Sequence, residues 1–271
     1  MIRRIVTLAF LIQLAASILL FPTQKLALAG GQNKNLTADQ IAETVIFVYG
    51  QRELLKQIRR NGVERGRVTS IGSDGRMEES TYERRFIRGE SADKDKVRLD
   101  QKTSAAEYSL VYGEGRTWGI INGAIFTPRQ DAAESFLSQM WHGIDALLRY
   151  KENGSTLALI GRDKQKGIDL YMLDLTDKEG RKTRYYISAN TFRILWLEYE
   201  QPATAGGQAV KYLRKFSDYR YAQGTLVPFR TLFFEDGKQT QEIRILTVTF
   251  GIKMEDSLFQ NPEAQTTSAK P

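Results

Sequence analysis

The sequence predicts a mainly β fold with some α-helix: an antiparallel sheet of about a dozen strands forms an incomplete, half-open barrel covered by amphipathic helices. Three observations lead to this fold class. Strand-like segments separated by short turns follow one another along most of the 271 residues. Two longer segments have helical periodicity and helix-capping residues. Several strands carry apolar residues on both faces, and two helices cannot cover both faces of so wide a sheet, so a sheet curled around a cavity is expected.

The first residues have the three parts of a secretory signal. Arg3 and Arg4 supply the positive charge, Ile5 to Phe21 is apolar, and Ala27-Leu28-Ala29 is a cleavage site. We therefore expect residues 1–29 to be a signal peptide that is removed after Ala29. The alternative is an uncleaved anchor helix, but the apolar run is short for a span of about 20 residues.

We expect residues 30–262 to form a single domain and residues 263–271, which are small and polar, to be a disordered tail. The chain has no Cys, which excludes disulfides and thiol chemistry. Its net charge of +7 comes from Lys and Arg scattered among Asp and Glu. This pattern is typical of a mixed-charge surface and does not indicate a nucleic-acid partner, although weak attraction to anionic lipid headgroups remains an alternative.

The first predicted helix begins after a capping box. The Thr37 hydroxyl can accept from the amide of Gln40, whose side chain can reach back to Thr37. Apolar residues then recur at helical spacing, and Asn61-Gly62 is the predicted end. We expect this helix to cover the sheet, which is commoner than lying on a membrane surface.

A series of short strands follows the first helix. The predicted strands include 76–88, 96–102, 107–112, 116–121 and 124–127. Gly113-Glu114-Gly115 lacks the spacing of a nucleotide-binding loop and precedes an aromatic strand, so we interpret it as a hairpin turn.

The second predicted helix begins with Thr127 as N-cap, Pro128 in the first turn and Gln130 completing a capping box. Asn153-Gly154 is its predicted end. The helix carries His142, the one histidine of the chain. Without a second histidine or a carboxylate placed by a motif, we expect a packing or surface role for His142 and not a catalytic or metal-binding one.

Strands continue at 156–161, 168–175, 181–188 and 193–199, and three long strands fill the stretch from Tyr212 to Phe250. Asp236-Gly237 is a strong hairpin signal. If it forms a two-residue loop, Phe233 faces Thr240, whereas a three-residue loop shifts the register and changes which side chains share a face.

The order of residues in this last part resembles a known family. Phe216-Ser217-Asp218-Tyr219, Gly224, Pro228, Asp236-Gly237 and Asp256-Ser257-Leu258-Phe259 with Pro262 are similar to the C-terminal half of LolA-type periplasmic outer-membrane lipoprotein-sorting proteins. The resemblance covers roughly residues 155–262. It implies an incomplete antiparallel barrel with helices over its open mouth, and it implies a periplasmic location.

The resemblance also implies an arginine in the barrel that contacts the covering helices. The predicted strands contain many arginines, and no motif singles out one of them; Arg84, Arg85, Arg98 and Arg116 are examples.

An apolar cavity in an exported protein can bury acyl chains at about 0.8 kcal/mol per methylene. We therefore expect a periplasmic carrier that binds the acyl chains of a lipoprotein or lipid for transfer between inner and outer membranes, with partner proteins in both. The alternative is an envelope sensor or regulatory protein that uses the same lipid-binding shell.

The sequence has no G-x-S-x-G motif and no recognisable metal-ligand spacing, so no enzyme activity, cofactor or metal is expected. The candidate cavity lining, chosen by size and strand position, is Trp118, Ile120, Phe126, Trp196, Phe216, Phe229, Phe233 and Phe250.

Overall fold

A computed structural model of the chain describes residues 36–202 and 208–261. The predicted signal peptide at residues 1–29 and the predicted tail at residues 263–271 lie outside these described residues. The described residues belong to one compact unit that begins at Leu36. The boundaries of the predicted domain, 30–262, stay a prediction.

Four α-helices and thirteen strands form in the described residues. The helices are α1 (Ala38–Tyr49), α2 (Arg52–Ile58), α3 (Gln130–Trp141) and α4 (Ile144–Leu148). The strands of the first half are β1 (Asn61–Ile71), β2 (Met77–Ile87), β3 (Lys96–Lys102), β4 (Glu107–Gly113), β5 (Arg116–Ile121) and β6 (Ala124–Phe126). Those of the second half are β7 (Thr156–Gln165), β8 (Ile168–Thr176), β9 (Lys182–Ser188), β10 (Ile194–Gln201), β11 (Val210–Ala222), β12 (Thr225–Glu235) and β13 (Lys238–Phe250).

The strands form one antiparallel sheet in the order β6-β5-β4-β3-β2-β1-β13-β12-β11-β10-β9-β8-β7. Each half of the chain is a meander, and the pairing of β1 with β13 joins the two halves. Strands β6 and β7 are the two edges and do not pair with each other, so the sheet is open. The segment between these edges contains α3 and α4. The predicted fold class, an incomplete antiparallel barrel with helices, is confirmed.

The capping box at Thr37 is confirmed, but the first predicted helix is two helices. Thr37 accepts from the Gln40 amide at 3.2 Å, and the Gln40 side chain accepts from the Thr37 amide at 2.9 Å. Helix α1 ends at Gly50, whose φ of 137° is accessible to glycine at little cost. The prediction of one continuous helix is wrong, whereas its predicted end at Asn61-Gly62 agrees with the structure, since α2 ends at Ile58 and β1 begins at Asn61.

The second predicted helix also differs from the structure. Arg129 remains extended with ψ 149°, so α3 begins at Gln130 and has no side-chain N-cap. The predicted capping box at Thr127 is therefore wrong. A break at His142 and Gly143 separates α3 from α4, and the predicted end at Asn153-Gly154 lies beyond α4.

The hairpin turn at Asp236-Gly237 has two residues, as one predicted alternative required, because Glu235 pairs with Lys238. Both turn residues have positive φ, 45° and 80°, which fits a two-residue hairpin turn. Phe233 nevertheless pairs with Gln241 and not with Thr240. A β-bulge next to Phe233 inserts one residue into β13 and shifts the register.

The helices lie on one face of the sheet, which we call the inner face. Helices α1 and α4 pack there on β8, β9 and β10, and the core they form includes Ile41, Val45, Leu147, Leu173, Ile187 and Leu197, each fully buried. The opposite, outer face is covered locally by the segment after β13. Phe259 from that segment packs on Val111 and Trp118.

One hydroxyl ties α1 to the sheet. Tyr49, at the end of α1, is fully buried, and its hydroxyl accepts from the Ile194 amide at 3.2 Å. The same hydroxyl lies 3.3 Å from that of Tyr219, which donates to the Ile194 carbonyl. Burial raises the pKa of Tyr49 to about 12.

In the described residues, no helix is long and apolar enough to cross a membrane.

We predict that Tyr49→Phe lowers the free energy of unfolding by about 1–3 kcal/mol, because the buried Ile194 amide loses its acceptor. Urea unfolding measures this change. Tyr221→Phe is the matched control, because Tyr221 is 68% exposed and its substitution should change stability by less than about 0.5 kcal/mol. Equal effects of the two substitutions would contradict the role assigned to the Tyr49 hydroxyl.

Candidate functional site: the inner face under helix α3

Helix α3 covers an apolar cluster on the inner face of β2, β3 and β4, which we call the α3 cluster. Phe136 of the helix packs there with buried side chains of the strands and of the β12–β13 region. The buried members are Phe86, Val97, Leu110, Tyr112, Phe136, Val227 and Phe250. This cluster is separate from the core under α1.

The α3 cluster continues onto side chains that the helices leave partly exposed. Phe229 of β12 and Ile245 and Val248 of β13 belong to it and are half-buried. Leu137 and Met140 of α3 are also half-buried. The central strands thus present an apolar inner surface that no described helix fully covers, and this surface is the candidate acyl-binding site.

The structure distributes the predicted lining residues over both faces. Phe126, Phe229 and Phe250 belong to the α3 cluster, and Phe216 packs against the core under α1. Phe233 faces a cavity of about 500 Å³ between α3 and strands β10 to β13. Their role as acyl-chain contacts stays a prediction.

The other three predicted residues lie elsewhere. Trp118 and Ile120 belong to the outer-face cluster that contains Phe259. Trp196 pairs with Tyr186 across β9 and β10, and its ring stacks on that tyrosine at 4.8 Å. Their location follows from their position along the strand. Neighbouring residues of a strand point to opposite faces of the sheet, and the size of a side chain does not identify its face.

One arginine joins the sheet to α3. Arg214 of β11 is 4% exposed and donates to the Tyr199 hydroxyl at 2.7 Å and to Ser138 Oγ of α3 at 3.2 Å. It also donates to the His142 carbonyl at 3.4 Å, just after α3 ends. Its guanidinium lies 5.2 Å from the centre of the Phe233 ring. Helix α3 is therefore attached to this side of the sheet mainly by polar contacts.

His142 supports the same attachment. Its ring is 2% exposed and stacks on Tyr199 at 3.9 Å, and Nδ1 lies 2.7 Å from Thr183 Oγ1. Burial, with Arg214 and Arg181 nearby, lowers the pKa of His142 to about 3. The imidazole is thus neutral at pH 7, and the structure gives it the packing role that its isolation in the sequence indicated.

The larger cavity near α3 is polar. It has a volume of about 1180 Å³, and most of its lining consists of charged or amide side chains from α3 and from β8 to β10. In the parts of the chain that the structure describes, no group of three His, Asp or Glu residues could hold a metal ion.

In sequence, the chain matches no protein-family model and no curated protein. In structure, it is similar to a DUF1329 family protein from Desulfovibrio piger, with a TM-score of 0.59 and 13% identity over 84% of this chain and 99% of that one. It is also similar to a LolA superfamily protein from Nitrosomonas europaea, with a TM-score of 0.56 and 12% identity over 84% of this chain and 99% of that one. A third match is a putative outer membrane lipoprotein-sorting protein domain from Vibrio parahaemolyticus, with a TM-score of 0.54 and 12% identity over 81% and 97% of the two chains.

The chain has a LolA-like fold. The sequence did not single out Arg214, which contacts the covering helix α3. The examples that it suggested were Arg84, Arg85, Arg98 and Arg116. The sequence did contain an indication. Arg214 lies two residues from the aromatic Tyr212 and two from Phe216, so these side chains point to the same face of the strand, whereas Lys215 points to the opposite face. An arginine on the aromatic face of a strand is a candidate for a buried contact.

We predict that acid weakens the LolA-like fold through His142. Its pKa is lower in the folded state than the ordinary 6.5, so the unfolded state binds the proton more readily below pH 6.5. The contribution of neutral His142 to the free energy of unfolding is fully present above pH 6.5 and is lost as the pH falls toward 3. Between pH 7 and pH 5 the loss is about 2 kcal/mol.

The measurement is urea unfolding at both pH values, with His142→Phe as the comparison. Phenylalanine keeps a ring on Tyr199 but cannot bind a proton, so the drop between pH 7 and pH 5 should disappear. A wild-type protein that is equally stable at both pH values would contradict this assignment.

Proposed function

We propose that this protein is an exported periplasmic carrier that binds the acyl chains of a lipoprotein or a lipid on the inner face of its sheet and transfers them between the inner and outer membranes. The observation that carries the proposal is the half-buried apolar surface around Phe229, Ile245 and Val248, which lies under and beside α3. Such a surface gains free energy from any hydrocarbon that covers it.

The geometry supports a ligand that is long and flexible. The α3 cluster extends from β4 across β2 to β12 and β13, so its apolar surface is wider than one small ring or one side chain. Each methylene that it buries contributes about 0.8 kcal/mol, and two acyl chains suffice for micromolar binding.

The contacts of α3 support a helix that can move without unfolding the protein. Arg214 and His142 connect it to the sheet by hydrogen bonds and ring stacking, whereas α1 is fixed by fully buried apolar residues such as Ile41 and Val45. Polar contacts exchange with water at low net cost. Movement of α3 would widen access to the α3 cluster.

The similar proteins add support from their printed descriptions. One is described as an outer membrane lipoprotein-sorting protein domain and another as a LolA superfamily protein. Together with the predicted signal peptide they favour a periplasmic location and membrane partner proteins that load and unload the carrier. No residue constellation that we identified supports enzyme activity, and we propose none.

Native mass spectrometry of the exported protein, purified from periplasm without detergent, tests the proposal. We expect adducts that extract into organic solvent and carry acyl chains. A protein that carries no lipid and takes up none of the lipids or lipopeptides offered to it would exclude a carrier. Bound lipid together with unchanged lipoprotein localisation after deletion would instead favour the alternative function, an envelope sensor.

We predict that Ile245→Gln lowers the affinity for an acylated ligand roughly tenfold, because one apolar side chain of the inner face is replaced by a polar one. Leu246→Gln is the matched control, since Leu246 is the next residue and is 56% exposed. Fluorescent fatty-acid binding measures both, after thermal unfolding shows that both variants fold. An equal loss in the two variants would place the ligand elsewhere.

We also predict that Arg214→Gln increases hydrogen exchange of the α3 amides at least tenfold, because the hydrogen bonds to Ser138 and the His142 carbonyl weaken. The amides of α1 should change less, since α1 packs in a separate core. Lys215→Gln removes the neighbouring charge on the exposed side and serves as control. Uniform acceleration in α1 and α3 would show a global loss of stability and contradict a local attachment.

A further inference from the structure

A second cavity of about 500 Å³ lies between α2, the segment after β2, and α4. Positively charged side chains outnumber negatively charged ones in its wall. The charged side chains that line it are Arg52, Lys56, Arg59, Arg60, Arg88 and Arg149 on the positive side and Glu90, Asp145 and Glu152 on the negative side. A recess with excess positive charge and protein walls concentrates anions.

Three of these cations have carboxylates of their own, among them Lys56, which pairs with Glu53 at 3.8 Å and with Glu152 at 3.5 Å. Arg149 donates to both oxygens of Asp95 at 3.0 and 2.7 Å. Arg52 forms ion pairs with Glu43 at 2.8 Å and with Glu152 at 3.1 Å. These pairs connect the helices to the sheet and to one another, and they explain part of the positive charge as structural.

Two further arginines of this cavity, Arg59 and Arg88, are largely buried and share one carboxylate. Arg88 donates to Asp145, and Arg59 lies 3.4 Å from the other oxygen of the same carboxylate. Among the described residues, three buried nitrogens of these two side chains have no hydrogen-bond partner: Arg59 Nε and Nη1 and Arg88 Nε. Burial, together with Arg88 and Arg84, lowers the pKa of Arg59 even though Asp145 opposes the change.

Arg84 adds a third guanidinium on the inner face. It is half-buried, and within the described residues it has no ion pair. We call Arg59, Arg84 and Arg88 the arginine cluster. Its carboxylate is Asp145: burial would raise the pKa of this carboxyl, but Arg59 and Arg88 outweigh burial and hold it well below its usual range. Glu64, the cross-strand partner of Arg84 on β1, also acts on Arg59, so three guanidinium groups face two carboxylates.

The arginine cluster borders the α3 cluster directly. The guanidinium of Arg59 lies 5.2 Å from the centre of the Phe250 ring, and those of Arg84 and Arg88 lie 5.1 Å from that of Phe86. A smaller cavity of about 40 Å³ shares Arg88, Asp145 and Arg149 with the larger one. It reaches Phe86, Val97 and Met140. Positive charge and apolar surface are thus continuous.

We propose that the arginine cluster and its cavity bind the phosphate of an anionic lipid whose acyl chains lie in the α3 cluster. This inference rests on the proposed carrier function and names the class of its ligand. Guanidinium groups bind phosphate oxygens in paired, charge-assisted hydrogen bonds. A zwitterionic headgroup has the same phosphate but adds an ammonium group, whose positive charge is repelled by the arginines. The anion supplies the negative charge that Asp145 and Glu64 leave missing beside three guanidinium groups.

The test compares phosphatidylglycerol with phosphatidylcholine of the same acyl chains by native mass spectrometry. We expect at least tenfold preference for phosphatidylglycerol in the wild type, and loss of this preference in Arg59→Gln. Arg76→Gln removes the same charge from a side chain that is 90% exposed in the β1–β2 turn and should keep the preference. Because Arg59→Gln disturbs a buried pair, the exposed Lys56→Gln/Arg60→Gln double variant is measured too.

Titration with sn-glycerol 3-phosphate, followed by NMR, separates the two proposals because it needs no acyl chain. Binding that depends on Arg59 supports the anion site even if no lipid binds, and then a free phosphate ester is the ligand. Equal retention of the two lipids by the wild type, without glycerol phosphate binding, would overturn the anion site and leave the carrier proposal intact. A preference that persists in the folded Arg59 variant and in the double variant would overturn it as well.

Discussion

The inner face of the sheet offers more apolar surface than the helices bury, and the rest of the described structure follows from this constraint. Helices α1 and α4 complete a dry core over β8 to β10, where side chains such as Leu173 and Leu197 are fully buried. Over the central strands the cover is partial, and Phe229 and Ile245 remain half-buried. A curled sheet shields such a surface from water, and the proposed acyl ligand would complete its burial.

The connection between the two edges of the sheet determines where the cover lies. Strands β6 and β7 are at opposite ends, and the chain between them crosses the inner face as α3 and α4. Helix α3 therefore meets both halves of the sheet: Phe136 packs on the β2–β4 side, and Ser138 and His142 contact β9, β10 and β11. The first contact is apolar and the second is largely polar. The attachment of α3 to the sheet is therefore asymmetric.

The arginines of the inner face fall into two groups. Some are paired with carboxylates within the fold, and others keep a charge that is only partly neutralised. Arg52 and Arg149 are paired with carboxylates and connect elements of the fold. The arginine cluster shares Asp145 and lies against the rings of Phe86 and Phe250. A ring face attracts a cation but does not neutralise it. Positive charge thus remains beside the apolar surface, where the proposed anionic lipid would present its headgroup.

The sequence by itself determined the fold class, most strand positions and the hairpin at Asp236-Gly237, because alternation, capping and positive φ depend on neighbours along the chain. It left two and three residues open as the length of that turn. It did not determine the breaks at Gly50 and Gly143, the bulge beside Phe233 or the face to which Trp118 and Trp196 point. Those depend on contacts with distant segments, such as the β11–β12 turn that packs on Gly50. The partners of Arg214 and the arginine cluster were decided by tertiary structure alone. Residues far apart in the chain, such as Arg59 and Asp145, meet only in the folded protein.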